Sequence, residues 1–172
     1  LTKVAANTLT LSGANTYTGG TNIIAGILSI SATSNLSSVF SVTIDGGTLL
    51  STGAVTLNKA ISIGAGGGTI AAASGQTLTA NGVISGSGAL TVGSAGSPGA
   101  VILSNANTYT GSTTISAGTL QLNPGGTISS SSSIINNAAL VYANNIVNTS
   151  NGGTGSGTIG VNSGSTLKLT GA

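Results

Sequence analysis

The chain has 172 residues, and four of them are charged: Lys3, Asp45, Lys59 and Lys168. Gly (29), Ser (26), Thr (26) and Asn (16) make up more than half of it, Leu, Ile and Val supply another 42, and His, Cys, Met and Trp are absent. One carboxylate cannot form an acid/base pair, and the usual general base, soft metal ligand and activated thiol are missing, so a binding or structural protein remains, with no catalytic, cofactor-binding or metal residues expected.

The formal charge of +2 rests on three isolated lysines, which is no basis for a nucleic-acid partner, because neutralising phosphates takes clustered Lys and Arg. Apolar runs such as Ala100-Val101-Ile102-Leu103 are far too short to span a bilayer, and no membrane insertion is expected of this segment. Leu1-Thr2-Lys3 is not a signal peptide, and the absence of an initiating Met suggests a processed or excised chain. A mean hydropathy of +0.46 and many β-branched residues argue against a disordered Gly/Ser linker.

Taken in order, the chain reads as short period-two bursts: Thr8-Leu9-Thr10-Leu11, Ser41-Val42-Thr43-Ile44, Val55-Thr56-Leu57, Ala60-Ile61-Ser62-Ile63, Thr119-Leu120-Gln121-Leu122 and Thr166-Leu167-Lys168-Leu169. Each puts aliphatic side chains on one face and small hydroxyls on the other, as in a half-buried strand. Turn chemistry bounds them, as at Asp45-Gly46-Gly47, Asn81-Gly82 and Asn151-Gly152-Gly153. No helical periodicity appears, and the chain reads as all-β with about twenty short strands.

An internal repeat selects the architecture. Residues 12–28 return at 104–120 with twelve of seventeen positions identical, at an offset of 92. Ser165 to Ala172 matches Asn7 to Ala14 at five of eight positions, at an offset of 158, which places it 66 after the second copy. Divided into four, seven and three whole coils, these offsets give a common unit of 22 to 23 residues, the length of one three-strand solenoid coil. The expectation is a single segment, 1–172, folded as a parallel β-helix (β-solenoid) of roughly seven to eight coils and about 35 Å. Repeat copies lie near 7–30 and 99–122, with a truncated one at 165–172. Leu9, Leu11, Ile23, Leu28, Val101, Leu103, Ile115, Leu120 and Leu122 should form the core, and turn asparagines can stack as amide ladders.

The repeated letters resemble the autotransporter-associated β-strand repeat, also called the passenger-associated transport repeat. Lys3 occupies the lead-in, Thr8 to Thr21 follow that motif almost letter for letter, and Ala25-Gly26-Ile27-Leu28 departs from its ending at one position. The second copy, Ser104 to Leu120, has Asn105 and Ser112 in place of two expected glycines, which turns tolerate. The resemblance implies a right-handed β-helical passenger of a Gram-negative autotransporter-like surface protein, extracellular or at the cell surface, in which the repeat serves export and folding rather than catalysis. The barrel that such proteins carry would show longer alternation with aromatic girdles, and that pattern is not seen here.

Other features read more plainly as structure. Asn15-Thr16-Tyr17-Thr18-Gly19 could contact a ligand, but its recurrence around Tyr109 suits a structured turn with Tyr over a corner. Tyr142 reads as core edge and Phe40 as core. Asp45, followed by two glycines, reads as a turn residue, and calcium-binding repeats would need an Asp in each turn. Gly64-Ala65-Gly66-Gly67-Gly68 lacks the helix and Lys of a phosphate loop. Asn35-Leu36-Ser37 and Asn148-Thr149-Ser150 fit the glycosylation acceptor pattern at chance level. The Thr-x-Thr pairs (Thr8, Thr10; Thr16, Thr18; Thr77, Thr79; Thr108, Thr110) suggest an ice-binding array, which requires one phase on every coil, and these are scattered.

Three functions follow in order: a non-enzymatic structural or adhesive passenger segment acting as stalk or surface fibre; a self-assembling extracellular filament subunit; and the scaffold of a carbohydrate-active enzyme whose chemistry lies elsewhere. Partners are then adjoining coils or other copies of the chain, with a surface or carbohydrate receptor left unnamed. Neither end shows a cap, so the chain is expected to belong to a longer passenger or to stack end to end rather than stand as a monomer.

Overall fold

Strands of three or four residues cannot bury a face alone, so each pairs with the strands one coil away. The computed structural model describes residues 1–37 and 40–143 fully and, as backbone only, the strands Ile146–Asn148, Gly153–Thr154, Thr158–Val161 and Leu167–Leu169. All pairings among the described strands are parallel, and the one helical turn described is a 3-10 turn at Thr33–Asn35.

Three columns of strands run along the rod. The first stacks Thr2–Lys3, Thr21–Ile23, Val42–Ile44, Ile61–Ile63 and Ile84–Gly86. The second stacks Thr8–Leu11, Ile27–Ile30, Thr48–Ser51, the start of Gly68–Ala80, Leu90–Val92, Thr113–Ile115, Ile134–Asn136 and Gly153–Thr154. The third stacks Val55–Leu57, the end of Gly68–Ala80, Pro98–Leu103, Thr119–Leu122, Ala139–Tyr142 and Thr158–Val161. Gly68–Ala80 crosses the corner between the second and third columns, with Gly75 at φ +72. The second column takes seven steps from Thr8 to Thr154, a rise of about 34 Å at the usual strand separation.

Those seven steps span 146 residues, about 21 per coil, and individual steps run from 19 to 23. This is shorter than the 22 to 23 obtained by dividing the repeat offsets into whole coils, because the copies are not whole coils apart. In the first copy Thr21–Ile23 lies in the first column and Ile27–Ile30 in the second; in the second copy Thr113–Ile115 lies in the second and Thr119–Leu122 in the third. The copies are separated by four coils and one face. The third copy continues the advance: Leu167–Leu169, counterpart of Leu9–Leu11, pairs with Ile146–Asn148, outside the second and third columns.

Inward side chains stack like on like. The second column carries Leu28, Leu49, Ile70, Val92 and Ile115 in direct register, and the third carries Val55, Leu78, Val101, Leu120 and Leu140. All are at most 2% exposed, and each such burial contributes about 1.5–3 kcal/mol. Of the nine expected core residues, seven are fully buried, while Leu9 and Leu11 pack against the core but are only partly covered, their strand pairing on one side alone. Tyr142 is buried as well.

Phe40 corrects a core expectation, being 42% exposed. It sits in a bend outside any strand, and buried Leu36 and Val42 take the inward places around it.

Candidate functional site

The repeated motif builds the same device twice. In the first copy, Asn15 donates through Nδ2 to the carbonyls of Gly13 (3.0 Å) and Asn35 (2.8 Å). In the second, Asn107 donates through Nδ2 to those of Asn105 (2.9 Å) and Thr127 (2.9 Å). Asn107 also accepts the Ile84 N–H on Oδ1 at 2.8 Å. One amide thus joins three successive coils. Nothing in this arrangement leaves a polar group of Asn107 for a ligand.

The tyrosines follow suit. Tyr17 and Tyr109 each hydrogen-bond a threonine four residues on, Thr21 and Thr113, at 2.6 Å. Tyr17 is half-buried; Tyr109, covered by coils on both sides, is fully buried, and Thr113 continues the chain to the Ser131 hydroxyl at 2.9 Å. Burial pushes the Tyr109 phenol well above its ordinary pKa, and the bond to Thr113 opposes this. The bland reading of the motif, a structured corner, matches this geometry in both copies.

The Ala-Gly-x-Leu ending also has a physical cause. Gly26 and Gly118 adopt φ +68 and +71, and a Cβ would stand 2.2 Å from the Ala5 and Gly99 carbonyl oxygens respectively. Lys3 in the lead-in is 4% exposed, and its ammonium donates to the carbonyls of Ala5 and, at 3.1 Å, Ala25. It closes the turn that Gly26 opens.

Asp45 accepts the Gly66 N–H at 2.7 Å and so ties its turn to that of the next coil. Gly64 is needed there, since a Cβ would meet the Asp45 carboxyl carbon at 2.4 Å. Asp45 and the glycine-rich run therefore belong to one structural unit. Among the described residues no three His, Cys, Asp or Glu side chains gather. Asn35 is 2% exposed, with Oδ1 accepting the Ser31 and Ala32 N–H groups and Nδ2 bonded to Gly13, which leaves no amide for a glycan. The side chain of Asn148 and the residues that complete its acceptor pattern lie outside the described residues, as does the side chain of Lys168.

Of two outward features, the first was expected from the sequence only in general, as amide ladders at turns, and the second was not read from it. Asn58, Asn81 and Asn105 form a corner ladder, Asn81 donating to Asn58 Oδ1 (2.8 Å) and Asn105 to the Asn81 carbonyl (3.1 Å); their spacings of 23 and 24 were the available signal. Thr48, Thr69, Thr91 and Thr114 stack in register, half-exposed, along the outside of the second column. The Thr-x-Thr pairs do not stack: Thr8 and Thr10 lie in the second column, Thr77 and Thr79 in the third.

Taken together, these features define a repeat-built β-solenoid whose recurring residues fasten one coil to the next. Residues 1–30 and 95–122 match the passenger-associated-transport-repeat family. The chain is also 43% identical over 144 residues to the adhesin BmaC autotransporter of Brucella suis biovar 1 (strain 1330), covering 83% of this chain and 4% of that protein. The chain thus spans a small fraction of the length of this relative. No solved structure matches it. Among the described residues no helix is long and apolar enough to cross a membrane.

Proposed function

We propose that this chain is a non-catalytic segment of an autotransporter-type passenger, displayed at the bacterial cell surface, where it serves as an adhesive stalk or fibre. The observation that carries this reading is the motif device, present twice with matching bond lengths, in which the Asn amide bridges neighbouring coils and the Tyr–Thr pair braces the corner within one coil. The adhesin relative supports the adhesive role. A chain with one carboxylate, itself bonded to a backbone N–H, is poorly supplied for hydrolysis or lyase chemistry.

The test is display of the protein on a non-adherent Gram-negative host, with and without residues 1–172. Attachment to epithelial cells or matrix should fall when the segment is removed while surface expression is maintained. Unchanged attachment, or turnover of a polysaccharide by the segment, would overturn the proposal.

A further inference from the structure

Among the described residues the third column of strands begins only at Val55–Leu57. Where a third-column strand would precede Val55–Leu57, the chain instead makes the 3-10 turn Thr33–Asn35, and Thr33 Oγ1 donates to the Thr56 carbonyl at 2.7 Å. The substitution leaves an open groove of about 710 Å³, floored by buried Leu36 and walled by Ser34, Ser41, Asn58 and Lys59. One coil further on the same corner is closed, for Asn81 bonds Asn58 and Gly82 packs against the Lys59 carbonyl.

Lys59 is the second observation. Lys59 is partly exposed, its ammonium donates to the Ser37 carbonyl, and among the described residues no acidic side chain is paired with it. Asp45, the chain's one carboxylate, is occupied with Gly66 at a different corner. A partly desolvated ammonium without a counter-charge is costly and gains most from an anion. Consistently, burial lowers its pKa from the ordinary lysine value. Hydroxyl and amide groups beside a single positive charge match a ligand with many hydroxyls and one negative charge.

We infer that this groove binds a carboxylate-bearing sugar unit of a host or bacterial glycan, with Lys59 on the carboxylate and Asn58, Ser34 and Ser41 on the hydroxyls. This rests on the adhesive reading above and names a receptor class for it. The full protein is titrated calorimetrically with oligogalacturonate, sialyllactose, a sulfated disaccharide and neutral lactose. At least one carboxylated probe should bind in preference to lactose, the two carboxylated arms separating a uronate from a sialic acid source. Lys59→Ala should weaken that binding about tenfold or more, Lys59→Arg should restore most of it, and Asn58→Ala should weaken it several-fold with an unchanged circular dichroism spectrum. Binding of the sulfated probe alone, equal binding of lactose, no binding at all, or a Lys59→Ala protein with unaltered affinity each overturns the inference. If Lys59→Ala abolishes glycan binding while cell attachment persists, the groove is real and the adhesion lies elsewhere; if attachment never depended on residues 1–172, the broader reading fails independently.

Discussion

Tyr109 and Thr113 share a 2.6 Å hydrogen bond inside the rod, and Tyr17 and Thr21, 92 residues earlier, share one of the same length nearer the surface. The pairs differ in cover rather than geometry, so they separate the worth of burial from that of the bond. Tyr109→Phe strands part of a buried hydroxyl network and should cost about 1–3 kcal/mol, whereas Tyr17→Phe, with water at hand, should cost under about 1 kcal/mol. Denaturant titration of the two variants checks the ranking.

The same phenol gives a pH dependence. Its pKa is raised above the ordinary value of 10.0 in the folded chain, so above that pH the unfolded chain releases the proton and the folded chain keeps it. The resulting stability is whole below pH 10 and is lost as pH rises towards the folded-state value. Thermal melts from pH 8 to 11 should show a decline that Tyr109→Phe makes shallower. An equal decline in the variant would show that other groups set it.

Core truncations should follow cover along the rod. Leu103→Ala and Ile115→Ala remove fully buried side chains and should cost about 2–5 kcal/mol each through the cavities left. Leu11→Ala, in the partly covered second-column strand, should cost less than either. Comparison of unfolding midpoints is sufficient.

Much of this was legible because the side-chain period of a strand is two. Alternation in Val101 to Leu103 and Thr119 to Leu122 fixes which residues face inward, and the repeat shows that the coils are stacked. The coil length was less legible. Sequence offsets count residues and not faces, so a repeat that advances by one face looks like a whole number of slightly longer coils. Phe40 was not legible, since hydrophobicity alone cannot say that a bend has removed it from the strand alternation. Nor was the groove at Lys59, which arises from a strand that fails to form.

Glycine substitutions offer a sharper test of the motif. Gly118→Ala places a methyl 2.2 Å from the Gly99 carbonyl oxygen at φ +71, whereas a Cβ on Gly13 meets nothing within 4 Å. Gly118→Ala should therefore lower the melting temperature clearly and Gly13→Ala should not. Asn105, which replaces that glycine in the second copy, already shows that a side chain is accepted there.

Asp45→Ala should remove the bond to Gly66, loosen one corner by about 1 kcal/mol, and change no polysaccharide turnover, because none is expected of the parent chain. Release of reducing sugar by the parent, abolished in the variant, would reinstate an enzyme.

The offset of the two copies by four coils and one face has a genetic consequence. Recombination between their near-identical stretches would excise 92 residues and rejoin the motif seamlessly, so the junction itself would fold. Everything downstream would nonetheless be rotated by a third of a revolution about the rod. Strands beyond the second copy, such as Ala139–Tyr142, would in this way be brought into line with a different side of the upstream rod by a single crossover. Copy-number variation in such a gene would re-aim a surface as well as shorten or lengthen it.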